Sequence, residues 1–461
     1  MKAVIPVIDE TRKKAYYLQV YDYIRSAVLR GDIKEGEKLP SLRGLSRSTG
    51  LSITTIEQAY NQLAVEGYIT SKAQSGYYVN DVGSHLESAA AGDMQPYPVG
   101  TDIGEYADHK ETDFFYDPDC FDFNKWKKCM NKVLTESSAS LFFESDPQGE
   151  LTLRQEIARY LYISRGVTCS PEQIIIGAGT QQITNHLATI LRKMSIDHVA
   201  LEDPVYGPVR NTFRDRGFAI TPVGADERGL ILEKLPANIR TAAYVSPSNH
   251  MYTGAVMPVG RRYELLKWAE SNDSYIIEDD YDSELRYFGK PVPALRSLSD
   301  GQRVIYLSSF SSTLFAAVKI SYMVLPEKIA EMFSAMIGDY SQTCSKLEQL
   351  TLARFMQSGK YQTHLKKLRK LYSQKLDRAV NTITTSGGDF IDVRNRASGL
   401  NMILKVNSSK PVSQLKAEAE SLRIPASSSG EDGMVILYYN QIPLEDIPET
   451  LKALIKLWRE K

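Results

Sequence analysis

The sequence predicts an α/β protein whose main domain is a doubly wound sheet, preceded by a smaller helical domain. Over residues 111–461, short apolar runs of strand length alternate with amphipathic helical stretches, a pattern typical of doubly wound domains. Residues 1–80 are instead patterned as short helices and end in a glycine-containing hairpin. Residues 81–110 are rich in Gly, Ala, Ser and Pro without periodicity, which predicts a linker; a short irregular piece packed on the next domain is the alternative.

The composition is that of an ordinary folded protein. Hydrophobic residues make up 43% of the 461 residues and charged residues 24%, which excludes a mainly disordered or fibrous chain. The net charge of −1 gives no overall electrostatic reason to bind nucleic acid or a membrane. Residues 1–80, however, carry 11 Lys and Arg against 8 Asp and Glu, a net charge of +3. This excess has the sign that a DNA-binding domain requires.

The use of cysteine and the lack of a recognisable signal peptide both predict a cytoplasmic protein. The sequence has no CxxC pair and no Cys/His cluster with zinc spacing, so we expect reduced thiols and no metal site. The four cysteines are Cys120, Cys129, Cys169 and Cys344. The first residues contain no apolar core of signal-peptide length, and no run of about 18 apolar residues occurs, so we expect a cytoplasmic protein without a membrane span.

Within residues 111–461, five apolar runs are predicted as strands of the sheet. They are Gln173–Ile176, His198–Leu201, Ala243–Val245, Tyr275–Glu278 and Val304–Leu307. Amphipathic helices are predicted between them, for example over Leu151–Ile163 and Val259–Ser271. From about residue 370 the pattern changes to a smaller α+β lobe, which the helix Leu444–Arg459 closes.

The N-terminal domain is predicted to contain three helices. Apolar residues at helical spacing mark the first helix, which ends at Gly31. A short second helix begins at Ser41 and stops at Gly50. Ser52 is suited to cap the third helix, which carries apolar residues on its inner face.

A hairpin follows these helices. Its predicted strands, Tyr68–Ser71 and Tyr77–Val79, flank a turn that contains Ser75-Gly76. Three helices and a hairpin form a winged helix-turn-helix, which presents the start of its third helix to base edges and its hairpin to the DNA backbone. The candidate DNA contacts are Arg43, Ser52, Thr54, Thr55, Gln58, Lys72, Ser75 and Gly76. The alternative is a generic three-helix domain with polar outer faces.

The same segment resembles the GntR-type winged helix. The resemblance rests on YLQVYDYIRSAVLRGDIKEGEKLPSLRGLS, on TTIEQAY and on VEGYI, which follow that family's pattern almost throughout. It implies that the domain binds double-stranded operator DNA. One departure concerns the base contact, because Ile53 stands where the family usually has Arg. Glu57 would in addition repel phosphate if it faced the groove.

Six further segments resemble motifs of fold-type I aminotransferases and occur in that family's order. They are ESDPQGELTLRQEIARYL (144–161), GAGTQQITNHLA (177–188), EDPVYGPVR (202–210), SPSNHMYTG (246–254), IIEDDYDSELRY (276–287) and VIYLSSFSSTLFAAVKISYMVLP (304–326). A GntR-type head followed by such a domain is the architecture of MocR-type regulators. The resemblance implies an aspartate aminotransferase-like fold, pyridoxal phosphate as the family's cofactor, and a homodimer.

The resemblance also assigns roles to individual residues. The turn at Gly179 and the following helix start would hold the cofactor phosphate, since backbone N–H groups at a helix start favour an anion. Tyr206 would stack on the pyridine ring, Asp279 would pair with the ring nitrogen, and Tyr281 would contact the ring oxygen. The candidate pocket residues are Gly179, Thr180, Gln181, Tyr206, Asn249, Asp279, Tyr281, Ser309, Ser311, Ser312 and Lys319. Taken singly, each has a structural alternative, such as a helix-start turn or a core aromatic.

The sequence departs from the family where the cofactor chemistry takes place. Ser312 stands where the Schiff-base lysine is expected, and a serine has no amine to bind pyridoxal phosphate covalently. Lys319 replaces a phosphate-binding Arg, which keeps the charge but loses the bidentate fork. Asn249 and Tyr252 replace the His and the second Pro of their loop. Ile436 stands in place of the Arg that holds a substrate carboxylate.

These departures predict a regulator without catalytic residues. We expect a head that binds operator half-sites, a dimeric body that senses a small-molecule effector, and a linker that transmits the change. Pyridoxal phosphate is expected to bind non-covalently or not at all. Three alternatives stay open. They are a sensor of pyridoxal phosphate itself, a dimerisation scaffold whose pocket Met251 or Tyr252 fills, and an active enzyme that uses Lys319 as its lysine.

Overall fold

The computed structural model describes Pro6, Ile8, Asp9 and residues 14–82, 120–287, 292–338, 340–394, 399–428 and 433–460. The chain divides into two compact units, Met1–Tyr106 and Ala107–Lys461, which we term the head and the body. Most of the predicted linker lies outside the described residues. Within the described ranges, no helix has the length and apolarity to cross a membrane, and no group of three or more His, Cys, Asp or Glu is placed to hold a metal ion. None of the four cysteines forms a disulfide bond.

The head contains three helices and a two-stranded hairpin. Its elements are α1 (Tyr16–Leu29), α2 (Leu42–Thr49), α3 (Ile53–Val65), β1 (Ile69–Lys72) and β2 (Gly76–Val79). The inner faces of the helices form one apolar core, in which Ile56 and Leu63 of α3 are fully buried. Ser41 and Ser52 cap α2 and α3, each accepting a hydrogen bond at 3.1 Å from the backbone N–H three residues later. Both predicted helix starts are therefore confirmed.

The hairpin is shifted from its prediction. β1 and β2 pair antiparallel, with Ile69 opposite Val79 and Lys72 opposite Gly76. The turn therefore spans residues 73–75, and Gly76 is the first residue of β2 rather than part of the turn. Gln74 in the turn and Gly76 after it both have a positive φ, of 59° and 114°. The prediction is therefore correct for Ser75, which lies in the turn, and wrong for Gly76, which follows the turn.

The body is built on an eight-stranded mixed sheet. Its strands are β3 (Ile174–Ala178), β4 (His198–Asp203), β5 (Ala219–Asp226), β6 (Gly229–Leu230), β7 (Thr241–Val245), β8 (Tyr275–Asp279), β9 (Val304–Ser309) and β10 (Ile320–Val324). They lie in the order β3-β10-β9-β8-β7-β4-β5-β6. Strands β5, β4, β7, β8 and β9 are parallel, whereas β10 is antiparallel to both of its neighbours. The sequence predicts five of these strands and misses β5, β6 and β10.

Helices cover both faces of this sheet, as a doubly wound domain requires. They are α4 (Phe123–Glu136), α5 (Leu151–Arg165), α6 (Thr180–Lys193), α7 (Gly207–Asp215), α8 (Val259–Ser271), α9 (Glu327–Ile337) and α10 (Lys346–Gln357). Ile176 of β3 packs into a core with α4, α5 and α10. The adjacent Ile175 packs on the opposite face with α6, α7 and α9, because side chains alternate along a strand.

A smaller α+β lobe ends the body. Its elements are α11 (Lys360–Gly387), β11 (Ile391–Val393), β12 (Met402–Val406), α12 (Val412–Ser421), β13 (Ala426–Ser428), β14 (Met434–Leu437) and α13 (Ile447–Arg459). The four strands form an antiparallel sheet in the order β11-β12-β14-β13. The predicted lobe is confirmed, but its closing helix begins at Ile447 rather than Leu444. Pro448 lies in the first turn of that helix, where proline is tolerated.

Candidate functional site

The candidate site lies at the carboxyl ends of the parallel strands, where α/β sheets place their ligands. Asp279 is the last residue of β8, and the hydroxyl of Tyr244 on β7 donates a hydrogen bond to its Oδ2 at 2.7 Å. Burial raises the pKa of Asp279 to about 6; the Tyr244 bond opposes this rise, and the charges of Asp280 and Glu202 add to it. The sheet edge therefore presents a buried carboxylate acceptor, which suits a protonated ring nitrogen.

Asp279 borders a small cavity. Tyr206 and Tyr281 line this cavity with it, as do Met251 and Tyr252 of the 246–254 loop. The free space is about 20 Å³, close to the volume that one water molecule needs. Tyr206 is 42% exposed. Entry of a pyridine ring therefore requires Tyr206 or the Met251–Tyr252 segment to move.

A cradle suited to an anion lies at the start of α6. Gly179 precedes the helix with φ of 86°, a backbone conformation that favours glycine. The N–H groups of Thr180 and Gln181, in the first helical turn, have no partner within the helix. The stem of Lys319 passes this turn, because a methyl group at Gly179 would contact Cδ of Lys319 at 4.0 Å. A glycine turn, a helix start and a cation together fit a phosphate group.

The serines of β9 lie at the same end of the sheet. Ser321 of β10 is paired with Ser309 on one side and with Gly177 of β3 on the other. Oγ of Ser309 accepts hydrogen bonds from the backbone N–H of Ser311 at 3.2 Å and from Oγ of Ser321 at 2.9 Å. Strand pairing therefore brings these serines next to the strand that leads into Gly179.

Ser312 lies in the turn after β9 and is 8% exposed. Its hydroxyl and that of Tyr281 face the carboxylate of Asp282 and lower its pKa, but burial dominates and raises the pKa to about 7. Within the described part of the chain, neither carboxylate oxygen of Asp282 accepts a hydrogen bond. At the position where the sequence predicts the lysine of the family, a hydroxyl therefore lies beside a buried, unpartnered carboxylate.

The 246–254 loop folds tightly around His250. Nδ1 of His250 accepts a hydrogen bond from the backbone N–H of Thr253 at 3.1 Å, while Nε2 lies 3.7 Å from Oε2 of Glu202. Burial lowers the pKa of His250 to about 4, so the imidazole is neutral at pH 7. Burial raises the pKa of Glu202 to about 7. Asn249 is also buried and, with Asp282, lines a second small cavity.

Ile436, which the sequence predicts in place of the carboxylate-binding arginine, lies in an apolar cluster. Ile436 of β14 is fully buried and clusters with Ile403 and Tyr438. Tyr252 of the loop packs against this cluster. Ile436 therefore offers a substrate carboxylate no positive charge.

Arg165 lines the cavity of Asn249 and Asp282, but it is already paired. From the end of α5, its Nε and Nη2 donate to the two carboxylate oxygens of Asp280 at 2.8 and 2.7 Å, and Nη2 also donates to Ser248 at 2.8 Å. Burial opposes ionisation of Asp280, but the charge of Arg165 and several hydrogen bonds prevail and hold the pKa of that carboxyl below its usual value. The guanidinium therefore neutralises Asp280 rather than a ligand.

In the head, several predicted DNA contacts lie on the start of α3. Ser52, Thr54 and Gln58 are exposed, whereas Thr55 is half-buried. Oγ of Ser52 lies 2.8 Å from Oγ1 of Thr55, within the cap. Arg43 is exposed on α2. These positions are suited to reach a DNA groove, with the cap fixing the helix start.

The remaining head residues lie on the hairpin. Lys72 is exposed, and its Nζ lies 4.7 Å from the centre of the Tyr78 ring. Oγ of Ser75 lies 2.6 Å from the Tyr78 hydroxyl. Ser75 and Gly76 are half-buried. The ring of Tyr78 therefore positions the lysine at the tip of the hairpin.

The structure brings part of the predicted pocket together. Tyr206, Asp279 and Tyr281 share one cavity, and Gly179 approaches Lys319. Gln181 is exposed on the first turn of α6, and no contact joins it to that cavity within the described residues. The sequence analysis misses Tyr244, Asp282 and the Arg165–Asp280 pair. The acidic run EDDYDSE was the available signal for Asp282, whereas the apolar run TAAYV gave none for Tyr244.

Comparison with known families matches both units. Residues 16–79 match the bacterial regulatory proteins of the gntR family. Residues 115–421, more than half of the chain, match the aminotransferase class I and II family. Among solved structures, an archaeal alanine:glyoxylate aminotransferase superposes with a TM-score of 0.67 at 21% identity, over 75% of this chain and 89% of that one. At this identity the likeness shows the fold alone.

Relatives of the whole chain are transcriptional regulators. The uncharacterized HTH-type transcriptional regulator YdeL of Bacillus subtilis is 36% identical, over 99% of both chains. The probable rhizopine catabolism regulatory protein MocR of Rhizobium meliloti is 29% identical, over 87% of this chain and 83% of that protein. The HTH-type pyridoxine biosynthesis transcriptional regulator PdxR of Corynebacterium glutamicum is 33% identical, over 77% of this chain and 76% of that protein.

Proposed function

The chain belongs to the MocR-type transcriptional regulators, with a GntR-family head and an aminotransferase class I and II body, and from this we propose that the body binds a phosphorylated pyridine effector without covalent chemistry. One combination of features carries the proposal: the anion cradle at Gly179 and the acceptor Asp279 are kept, while the lysine position holds Ser312. The relative PdxR is named for pyridoxine biosynthesis, which also favours a pyridine ligand.

Each retained residue has a role in this proposal. The turn at Gly179, the start of α6 and Lys319 hold the phosphate. Asp279, oriented by Tyr244, accepts a hydrogen bond from the ring nitrogen, and Tyr206 covers the ring. Pyridoxal phosphate supplies an aldehyde and an electron-withdrawing ring to the enzymes that use it. Because this chain has no amine at position 312, we propose that the ligand regulates DNA binding and is not turned over.

We further propose that the protein acts as a homodimer on paired operator half-sites. Exposed aromatic side chains support a subunit interface on the body. Phe142 and Phe143 are 89% and 72% exposed, and these adjacent aromatics are the part of the body that we propose for the interface, since exposed apolar patches are typical of interaction surfaces. A ligand that prefers one of two arrangements of the dimer would change operator affinity by its differential affinity for them.

Titration of the full chain with pyridoxal phosphate, followed by calorimetry and by borohydride reduction with mass spectrometry, tests the proposal. We expect saturable binding and no reduced adduct, together with a change in operator affinity when the ligand is present. A reduced adduct would contradict it, because another lysine, Lys319 first, would then have taken the role of the missing one. Tight binding that leaves operator affinity unchanged would contradict the regulatory part alone.

A second candidate function is a dimerisation scaffold without a ligand. The small cavity favours it, since Met251 and Tyr252 leave only about 20 Å³ beside Asp279. In that case none of the phosphorylated pyridines binds, and the same titration decides between the two functions.

A further inference from the structure

Buried carboxylates follow β8 at the carboxyl end of the body sheet, and Arg165 and Arg286 line the cavity beside Asp282. Asp280, Asp282 and Glu284 are all buried and follow β8 within a few residues. Arg165 is paired with Asp280, to which it donates two hydrogen bonds. The charges that act most strongly on Asp282 are those of Glu284 and Asp279, and both are negative. The charges that act on Asp282 itself therefore favour a positively charged group of a ligand beside this carboxylate.

Asp282 is the carboxylate that lacks a partner. It is 2% exposed, and neither of its oxygens accepts a hydrogen bond within the described residues. It lines a cavity with Ser248 and Asn249, and the same lining includes Arg286 and Arg165, of which Arg165 is paired with Asp280. A desolvated acceptor without a donor is costly, and a ligand that supplies the donor recovers that cost. Asp282 thus has the properties of a binding group.

The position of Asp282 defines which part of a ligand it would meet. The hydroxyl of Ser312 faces its carboxylate, and Ser312 stands where the enzymes of the family hold the lysine that bonds the aldehyde carbon of pyridoxal phosphate. The substituent on that carbon would therefore lie near Asp282. An aldehyde oxygen there could not donate a hydrogen bond to the Asp282 carboxylate. An alcohol could donate one hydrogen bond without a charge, and an ammonium group carries three N–H donors and a positive charge.

We propose that this site selects the amine form of the phosphorylated pyridine, pyridoxamine 5′-phosphate, and that Asp282 determines the selection by binding its ammonium group together with Ser312. The inference rests on the proposed function, and it deepens that function by naming the chemical form of the effector. Apolar Ile436 agrees with it, because an amine without a carboxylate needs no arginine at that position.

The test compares three ligands that differ at one substituent. Calorimetry of the full chain at pH 7.5 would measure pyridoxamine 5′-phosphate, pyridoxine 5′-phosphate and pyridoxal 5′-phosphate. A charge-assisted pair predicts that the amine binds at least about tenfold more tightly than the alcohol or the aldehyde. Asp282→Asn should remove this preference and leave the affinity for pyridoxine 5′-phosphate within about threefold. Asp279→Asn is the matched control, since it should weaken all three ligands alike.

The outcomes distinguish a failure of this inference from a failure of the proposed function. Equal affinity for the three ligands, or tighter binding of the aldehyde, would overturn the inference while the proposed function stands. A preference for the amine that survives in Asp282→Asn would overturn the role of Asp282. Failure of all three ligands to bind the wild-type chain would overturn the proposed function and the inference with it. The wild-type comparison needs no variant, so the test holds even if Asp282→Asn does not fold.

Discussion

Tyr244 and Asp279 are joined across the parallel pair β7 and β8 by a hydrogen bond of 2.7 Å from the tyrosine hydroxyl to Oδ2. This bond favours the ionised carboxylate, whereas burial favours the protonated one, and the balance leaves the pKa of Asp279 at about 6. At neutral pH the carboxylate is therefore mostly ionised. Tyr244 thus keeps Asp279 in the form that accepts a hydrogen bond from a protonated ring nitrogen.

Replacing Tyr244 with phenylalanine should weaken ligand binding. Without the hydroxyl, the pKa of Asp279 rises further and more of the side chain is protonated at neutral pH. We expect pyridoxine 5′-phosphate to bind several-fold more weakly, with an effect that grows below pH 7, as calorimetry would measure. Tyr306→Phe is the matched control, because Tyr306 donates to Asp280, which Arg165 also holds. A loss of affinity as large in Tyr306→Phe would contradict a specific role for Tyr244.

Restoring an amine at position 312 should restore covalent capture of pyridoxal phosphate. In Ser312→Lys the amine lies beside Asp282 and at the position of the family's lysine, so we expect borohydride reduction to leave a stable mass increase. The wild-type chain should show none. Ser311→Lys, one residue away, is the control and should stay unlabelled. Labelling of the wild-type chain would show that the missing lysine is not what prevents the bond.

The hairpin lysine should contribute a contact to the DNA backbone. Lys72 is exposed and held over the ring of Tyr78, so Lys72→Ala should weaken binding to specific and random DNA by a similar factor. The salt dependence of the affinity, log K against log salt, should flatten by about one unit of slope. Lys34→Ala, at an exposed position outside α3 and the hairpin, is the control. An unchanged slope in Lys72→Ala would place the lysine away from the phosphates.

A strand is predicted correctly from the sequence when all of its side chains lie in the same environment. Val304–Leu307 is identified correctly because a strand buried on both faces is wholly apolar, and β9 contains it. β5 is missed because its residues are mostly half-buried or exposed and include Pro222 and Gly224. In the head hairpin, the sequence predicts Gly76 in the turn, but its pairing with Lys72 makes it the first residue of β2.

The site residues that belong to a local sequence motif are predictable, whereas the residues that reach the site only through packing are not. Gly179 and Asp279 stand at the strand ends that their motifs indicate. Tyr244 looks like a core residue in the sequence, and only strand pairing shows that its hydroxyl reaches Asp279. Asp282 looks like one more residue of an acidic, solvated turn. Its burial follows from the packing of distant segments around it, which no local pattern encodes.

Glu202 should make the body less stable at high pH. Its pKa is about 7 in the folded body, against an ordinary value of 4.5, so between these values the folded state holds a proton that the unfolded state has lost. The contribution of Glu202 to the free energy of unfolding therefore falls as pH rises from about 4.5 to 7, and by linkage the total is at most ~3 kcal/mol. Glu202→Gln cannot ionise and should match the wild-type stability near pH 5 but exceed it at pH 8.

Urea unfolding followed by tryptophan fluorescence measures this difference in stability, because Trp126, Trp268 and Trp458 all lie in the body. Exposed Glu331→Gln is the control, and a difference between Glu202→Gln and wild type that stays constant from pH 5 to 8 would contradict the burial of an ionisable Glu202.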